Sequence, residues 1–154
     1  VDINDIITEI KDTINEIVSL MGLTSNLEVR RRENNITITI FSNNNSILIG
    51  KNGRTMSAIQ TIIRQIIQSQ VKSNLQIIID VENYKEKRIK NLEYLAKKVA
   101  KEVAHTKVET KLDPMNSYER RVIHNVLSKN KYVYTESEGV EPNRYVVIKP
   151  KEAE

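Results

Sequence analysis

Apolar residues recur along this chain at two periods, and the switches between them outline its elements. Ile3, Ile6, Ile7, Ile10, Ile14, Ile17, Val18 and Met21 are spaced by threes and fours, which predicts one amphipathic helix with Gly22 placed to end it. The period then drops to two. Leu27 and Val29 in "NLEVRRREN", followed by Ile36, Ile38 and Ile40 in "NITITIF", predict two strands, and Glu33-Asn34-Asn35 between them is short enough for a hairpin. "SNNNS" reads as a turn. Ser46 is placed to cap a short helical turn that ends at Gly50, and a longer helix follows from about Arg54 on the stripe Met56, Ile59, Ile63 and Ile66, with Ile62 and Ile67 beside it. "LQIIIDV" is a buried strand by its length and branched residues. The order helix, strand, strand, helix, helix, strand closes a unit near Glu82.

A second run of periods starts there. Asn83 is placed to cap a helix whose apolar face is Ile89, Leu92, Leu95, Ala96, Val99 and Val103. "KVETKL" reads as a strand that Asp113-Pro114 breaks. Asn116 with Glu119 three later resembles a capping box at the start of a helix running to about Ser128, although Asn replaces the usual Ser or Thr. "KYVYTES" and "RYVVIKP" predict two strands around a turn with Gly139 and Pro142. The chain is therefore expected to be α+β, in two small domains over residues 1–82 and 83–154. Its 154 residues suffice for that division, though each core would be modest.

Composition narrows the chemistry. There is no cysteine, which removes disulfides, thiolate metal sites and cysteine nucleophiles, and His105 and His124 alone make no recognisable zinc site. No stretch approaches the roughly 18 apolar residues of a membrane span, and acidic residues interrupt the first apolar stretch, so no signal peptide is read and a cytoplasmic location is the default. The chain begins at Val1 rather than Met, as a piece of a longer protein would. The net charge of +4 is uneven: residues 1–82 hold 8 Lys or Arg against 9 Asp or Glu, and the rest hold 16 against 11. Such a bias permits anionic partners without proving one.

No motif supports catalysis. "GKNGRT" has too few residues between its glycines for a triphosphate loop, a dinucleotide fingerprint lacks its third glycine, and no nucleophile stands beside a base. Those glycines still need a reason, because Gly50 and Gly53 are two of only four. One reading is that they cap two helices. The other is that the turn lets a nucleic-acid backbone reach main-chain amides at a helix N-terminus, with Lys51 and Arg54 adding charge.

"IGKNGRTMSAI" resembles the glycine-loop signature of KH domains, and the order α-β-β-α-α-β is that of type II. "MNSYERRVIHNVLS" carries Arg120-x-x-x-His124, the motif of the R-three-H domain, whose order would be α-β-α-β-β, and "TESEGVEPNRYVVI" is similar to its closing hairpin. The two in succession resemble the bacterial Jag family of sporulation-associated RNA-binding proteins, over essentially the whole chain. Many members carry a further N-terminal domain and linker ahead of the helix at which this chain begins.

The resemblance implies a non-enzymatic single-stranded RNA-binding protein, a bacterial post-transcriptional regulator linked to cell growth, envelope synthesis or sporulation, with no cofactor. Gly50, Lys51, Asn52 and Gly53 would contact phosphate, with Ile49 and the following helix as a groove wall and Arg54 beside it. Gly53→Asp is expected to weaken binding and leave the fold intact. Arg120 and His124, on one helix face, would bind a single strand, with Arg121 pointing sideways; alternatively, His124 serves to position Arg120. Two other functions stay open, a protein adaptor that uses the KH surface to meet a single-KH protein or a second copy of itself, and single-stranded DNA binding through the R-three-H domain. Lys90, Tyr94, Lys97 and Lys101 form a helical stripe that either extends a basic track or is a solvated face. Of Arg30, Arg31 and Arg32, the strand alternation is expected to give at most part to one surface.

Overall fold

The computed structural model describes residues 2–71 and 74–152. The chain divides into two compact units, Val1–Lys85 and Glu86–Glu154. In the first, α1 (Ile3–Leu20) is followed by β1 (Ser25–Arg32), β2 (Asn35–Ser42), α2 (Asn45–Ile49), a 3-10 turn (Lys51–Gly53), α3 (Arg54–Gln70) and β3 (Gln76–Val81). The second contains most of α4 (Tyr84–Thr106), then β4 (Thr110–Lys111), α5 (Ser117–Leu127), β5 (Val133–Glu138) and β6 (Tyr145–Pro150).

The sheet of the first unit has the order β1-β2-β3, with β1 and β2 antiparallel and β2 and β3 parallel. Its alternation is one-sided. Ile36, Ile38, Ile40, Ile77, Ile79 and Val81 enter one core with Ile6, Ile10, Ile14 and Val18 of α1 and Met56, Ile59, Ile63 and Ile67 of α3. Both helices thus cover the same face, and the other face of the sheet carries Glu28, Arg30, Arg32, Thr37, Thr39, Ile78 and Asp80. α3 rotates slightly from its expected stripe, because Ile67 is buried and Ile62 is half-exposed.

Three local expectations are corrected. Ser46 lies inside α2, whose N-cap is Asn44, and Asn45 instead accepts from the Ser42 N–H at 3.0 Å. Asn83 has φ 60, which is not the extended backbone of an N-cap. The carboxylate of Asp80 reaches forward to take the Lys85 N–H at 3.3 Å instead. The "KVETKL" strand shrinks to Thr110–Lys111, extended by one bond from the Leu112 N–H to the Val146 carbonyl at 2.9 Å, because only β6 flanks it in the order β4-β6-β5. The capping box at Asn116 and Glu119 is present in both directions, with N–H···O distances of 2.8 and 3.1 Å. Leu92, Ala96, Val99 and Val103 of α4 pack with Ile123 and Leu127 of α5 and with Val133, Val146 and Ile148 of the sheet.

Candidate nucleic-acid interface

Buried Leu48 anchors α2, and the chain then turns sharply. Gly50 has φ 70 and ψ 179, Asn52 has φ 55 and Gly53 has φ 78. A β-carbon at Gly50 would stand only 3.0 Å from the Thr55 backbone nitrogen and nearer still to the Thr55 side chain, while one at Gly53 would stand 3.0 Å from the ring of Tyr84. Both positions combine a left-handed φ with a close neighbour, so both demand glycine for the fold itself. Gly53→Asp therefore carries a folding cost of its own, because its β-carbon would stand 3.0 Å from the Tyr84 ring in a left-handed backbone.

What the turn exposes is a helix end. No side chain caps the N-terminus of α3; the preceding turn takes the Arg54 N–H on the Lys51 carbonyl, and the helix end carries the positive end of the dipole. Lys51 and Arg54 beside it are exposed, and Ile49 and Asn52 are half-buried. Among the described residues no carboxylate forms an ion pair with Lys51 or Arg54. Backbone amides, two free cations and an adjoining aliphatic side chain together can hold a phosphate and the nucleoside attached to it.

The edge of β3 runs away from this loop, and α3 reaches over it. Gln60 Oε1 accepts from the Ile79 N–H at 2.9 Å, and one turn later Arg64 Nε donates to the Ile77 carbonyl at 2.9 Å. These bonds occupy a strand edge that has no further strand beside it. Lys85 Nζ lies 3.5 Å from the same Gln60 oxygen. Burial holds the Lys85 ammonium below the usual lysine range, opposed by the Asp80 carboxylate and reinforced by Arg64. Sequence reading passed over Gln60 and Arg64, whose signal was a polar pair four apart flanking an apolar stripe.

In the second unit the Arg120 and His124 side chains share one helix face, as their spacing requires, but that face turns inward. Arg120 is 8% exposed; its Nη1 donates to the Met115 carbonyl at 2.6 Å and its Nη2 to Glu141 Oε1 at 2.7 Å. His124 Nδ1 lies 2.5 Å from Thr135 Oγ1, and its Nε2 lies 2.7 Å from Ser137 Oγ, so both ring nitrogens are engaged by β5. Burial first, and then the Arg120 charge, hold the imidazole below its ordinary pKa. Arg121 is exposed with no carboxylate ion pair among the described residues. Along α4, Lys90, Tyr94, Lys97 and Lys101 are all exposed, and Lys90 meets Glu86 at 3.4 Å in a solvated pair of little energetic weight.

A glycine loop at an uncapped helix end on an α-β-β-α-α-β unit, followed by a helix with Arg120-x-x-x-His124, defines a type II KH domain joined to an R-three-H domain. Comparison with known families agrees. Residues 8–81 match the KhpA/KhpB KH domain, and residues 90–150 match the R-three-H domain. The chain is 38% identical over 128 residues to the RNA-binding protein KhpB of Clostridium symbiosum, covering 83% of this chain and 58% of that one. It is 36% identical to the protein of that name from Lactiplantibacillus plantarum, over 89% of this chain and 42% of that one, and 32% identical to that of Bacillus subtilis, over 96% and 72%. This chain belongs to the KhpB family, also known as Jag. It spans about half the length of the first two relatives, 58% and 42%. No helix among the described residues is long and apolar enough to cross a membrane.

Proposed function

We propose that this chain binds single-stranded RNA without catalysing a reaction, and that the Gly50–Gly53 loop clamps the backbone of about four nucleotides. The observation that carries this reading is the N-terminus of α3, which no side chain caps, beside the exposed Lys51 and Arg54. Ile49 supplies an aliphatic wall. With one Phe, six Tyr and no Trp, clamping and base-edge bonds outweigh aromatic stacking. Arg121 is the member of the second motif free to meet a phosphate, while Arg120 and His124 shape the surface it stands on. The domain division at residues 82 and 83 is the functional one, and the cellular role is post-transcriptional regulation in the bacterial cytoplasm.

The test leaves both glycines in place. Asp at position 51 reverses a charge at an exposed site, and Asp at position 52 sits in a left-handed conformation that Asn and Asp tolerate. The variant carrying Lys51→Asp and Asn52→Asp should unfold like the parent and lose at least about tenfold in single-stranded RNA affinity, or roughly 1.4 kcal/mol. Unchanged affinity refutes the clamp. A protein adaptor is the competing reading, favoured by Ile47 and Ile62, which are 47% and 48% exposed. A tight protein partner with a nearly flat salt dependence would establish it, whereas phosphate contact gives log K falling against log salt by about 0.7 per neutralised contact. A DNA strand that outcompetes RNA of the same sequence would move the assignment to single-stranded DNA.

A further inference from the structure

At the end of the KH sheet away from the glycine loop, four arginines border one cleft. Arg30 and Arg32 stand two apart on β1, on the face opposite the helices, since their alternation partner Val29 packs with the core. Thr37 pairs with Arg30 across the hairpin, and Ile78 continues that row onto β3. Arg31 has the opposite pleat phase, yet its Nε donates to the Glu33 carbonyl in the hairpin turn at 3.1 Å, and it borders the same cleft. Arg64 arrives from α3 over the β3 edge. The open cleft they share has a volume of about 770 Å³. Strand alternation thus divides the run as expected, Arg30 and Arg32 on the open face and Arg31 on the other, with Arg31 bordering the cleft from the hairpin end.

None of these arginines forms an ion pair with a carboxylate among the described residues, although Glu28 lies two residues before Arg30 on the same face. Among the described residues the arginine–carboxylate ion pairs are Arg88–Glu119 and Arg120–Glu141, and none involves the cleft. Like charges gathered on one wall repel each other and attract a polyanion. Guanidinium forks suit phosphate oxygens in particular. Arg30 and Arg32 are about 6.6 Å apart along the strand, a spacing of the same order as that of successive phosphates in an extended single strand. β3 then supplies the track. Its C-terminal end leads to Tyr84, which packs on Gly53, and its first residue, Gln76, lines the cleft roughly 17 Å away along the strand.

We infer that this cleft is a second RNA-backbone site on the KH domain, holding phosphates of a strand that leaves the glycine loop and follows the β3 edge past Arg64. The inference rests on the RNA reading above. It makes the KH footprint longer than the loop's own, with the outer nucleotides held by charge and those at the loop held by geometry.

The full chain is titrated with an RNA of about four nucleotides and one of roughly 16, at several salt concentrations. Arg30→Gln with Arg32→Gln should leave the short RNA's affinity unchanged. For the long RNA it should make the salt slope shallower by about 1.4, equivalent to roughly 25-fold weaker binding at 0.1 M salt. Arg30→Lys with Arg32→Lys should recover most of that loss. If the Gln variant binds the long RNA with parental affinity and slope, the cleft is not an RNA site. A parent chain that binds neither RNA overturns the RNA reading itself, and the cleft's role with it.

Discussion

Replacing Arg120 separates a residue that touches nucleic acid from one that holds the module together. Arg120→Met keeps most of the buried stem and removes the charge. The bond lost to the Met115 carbonyl is charge-assisted and buried, and such bonds contribute about 1.5–3 kcal/mol. The pair with Glu141 adds less than about 1 kcal/mol, because the Glu141 side chain is 59% exposed and water screens it. The expected cost is therefore about 2–4 kcal/mol, against less than about 1 kcal/mol for Glu141→Gln. Five of the six tyrosines, Tyr94, Tyr118, Tyr132, Tyr134 and Tyr145, lie in the second unit, so tyrosine fluorescence during urea unfolding reports chiefly on it. If Arg120→Met unfolds within about 0.5 kcal/mol of the parent while RNA affinity falls tenfold, the guanidinium acts at the ligand and its role in holding the module is refuted.

Two further outcomes are expected. Gly53→Ala should destabilise the first unit by about 1–2 kcal/mol from its left-handed φ alone, with more from displacing the Tyr84 ring. That extra part should vanish when Gly53→Ala is combined with Tyr84→Ala, and an equal cost in both backgrounds would disprove the close approach. His124 is held below its ordinary pKa, so the unfolded chain binds its proton more readily; the stability this contributes is fully present above about pH 6.5 and is lost as pH falls through the folded pKa. Denaturation midpoints of the second unit should therefore drop on acidification, and His124→Gln should flatten that part of the profile; an unaltered profile would contradict the burial of a neutral ring.

Much of this architecture was legible because its causes are local. The helix-to-strand period switches near Gly22 and Gln70 mark real boundaries, and the Asn116–Glu119 box forms because both partners sit within one turn. Gly50 and Gly53 stood out by scarcity, and their φ values supply the reason. What escaped depends on groups that meet only in space. Asp80 caps α4 from within the preceding strand, a reach that no adjacent-residue signature describes. Arg120 looks like a surface residue until Glu141, 21 positions on, is brought to it. Arg64 joins the β1 arginines only because α3 lies over the β3 edge.

Formal charge by sequence half points away from the cleft inferred above. Residues 1–82 carry one more acid than base, and the rest carry five more bases than acids. Yet in the second unit Arg88 and Arg120 are tied to carboxylates and Arg144 to the carbonyls of Gly139 and Ser137. In the first unit the acids concentrate on α1, where Asp5, Asp12 and Glu16 face solvent on the outer side of a helix that covers one sheet face. Arg30 and Arg32 lie on the other face. A helix layer is about 10 Å thick, comparable to the roughly 8–10 Å over which salt screens a charge, so those carboxylates barely reduce the field in the cleft. Counting charge by sequence half therefore hides four arginines gathered at one end of a sheet whose open face also carries Glu28 and Asp80, and the glycine loop stands at the far end of the same sheet.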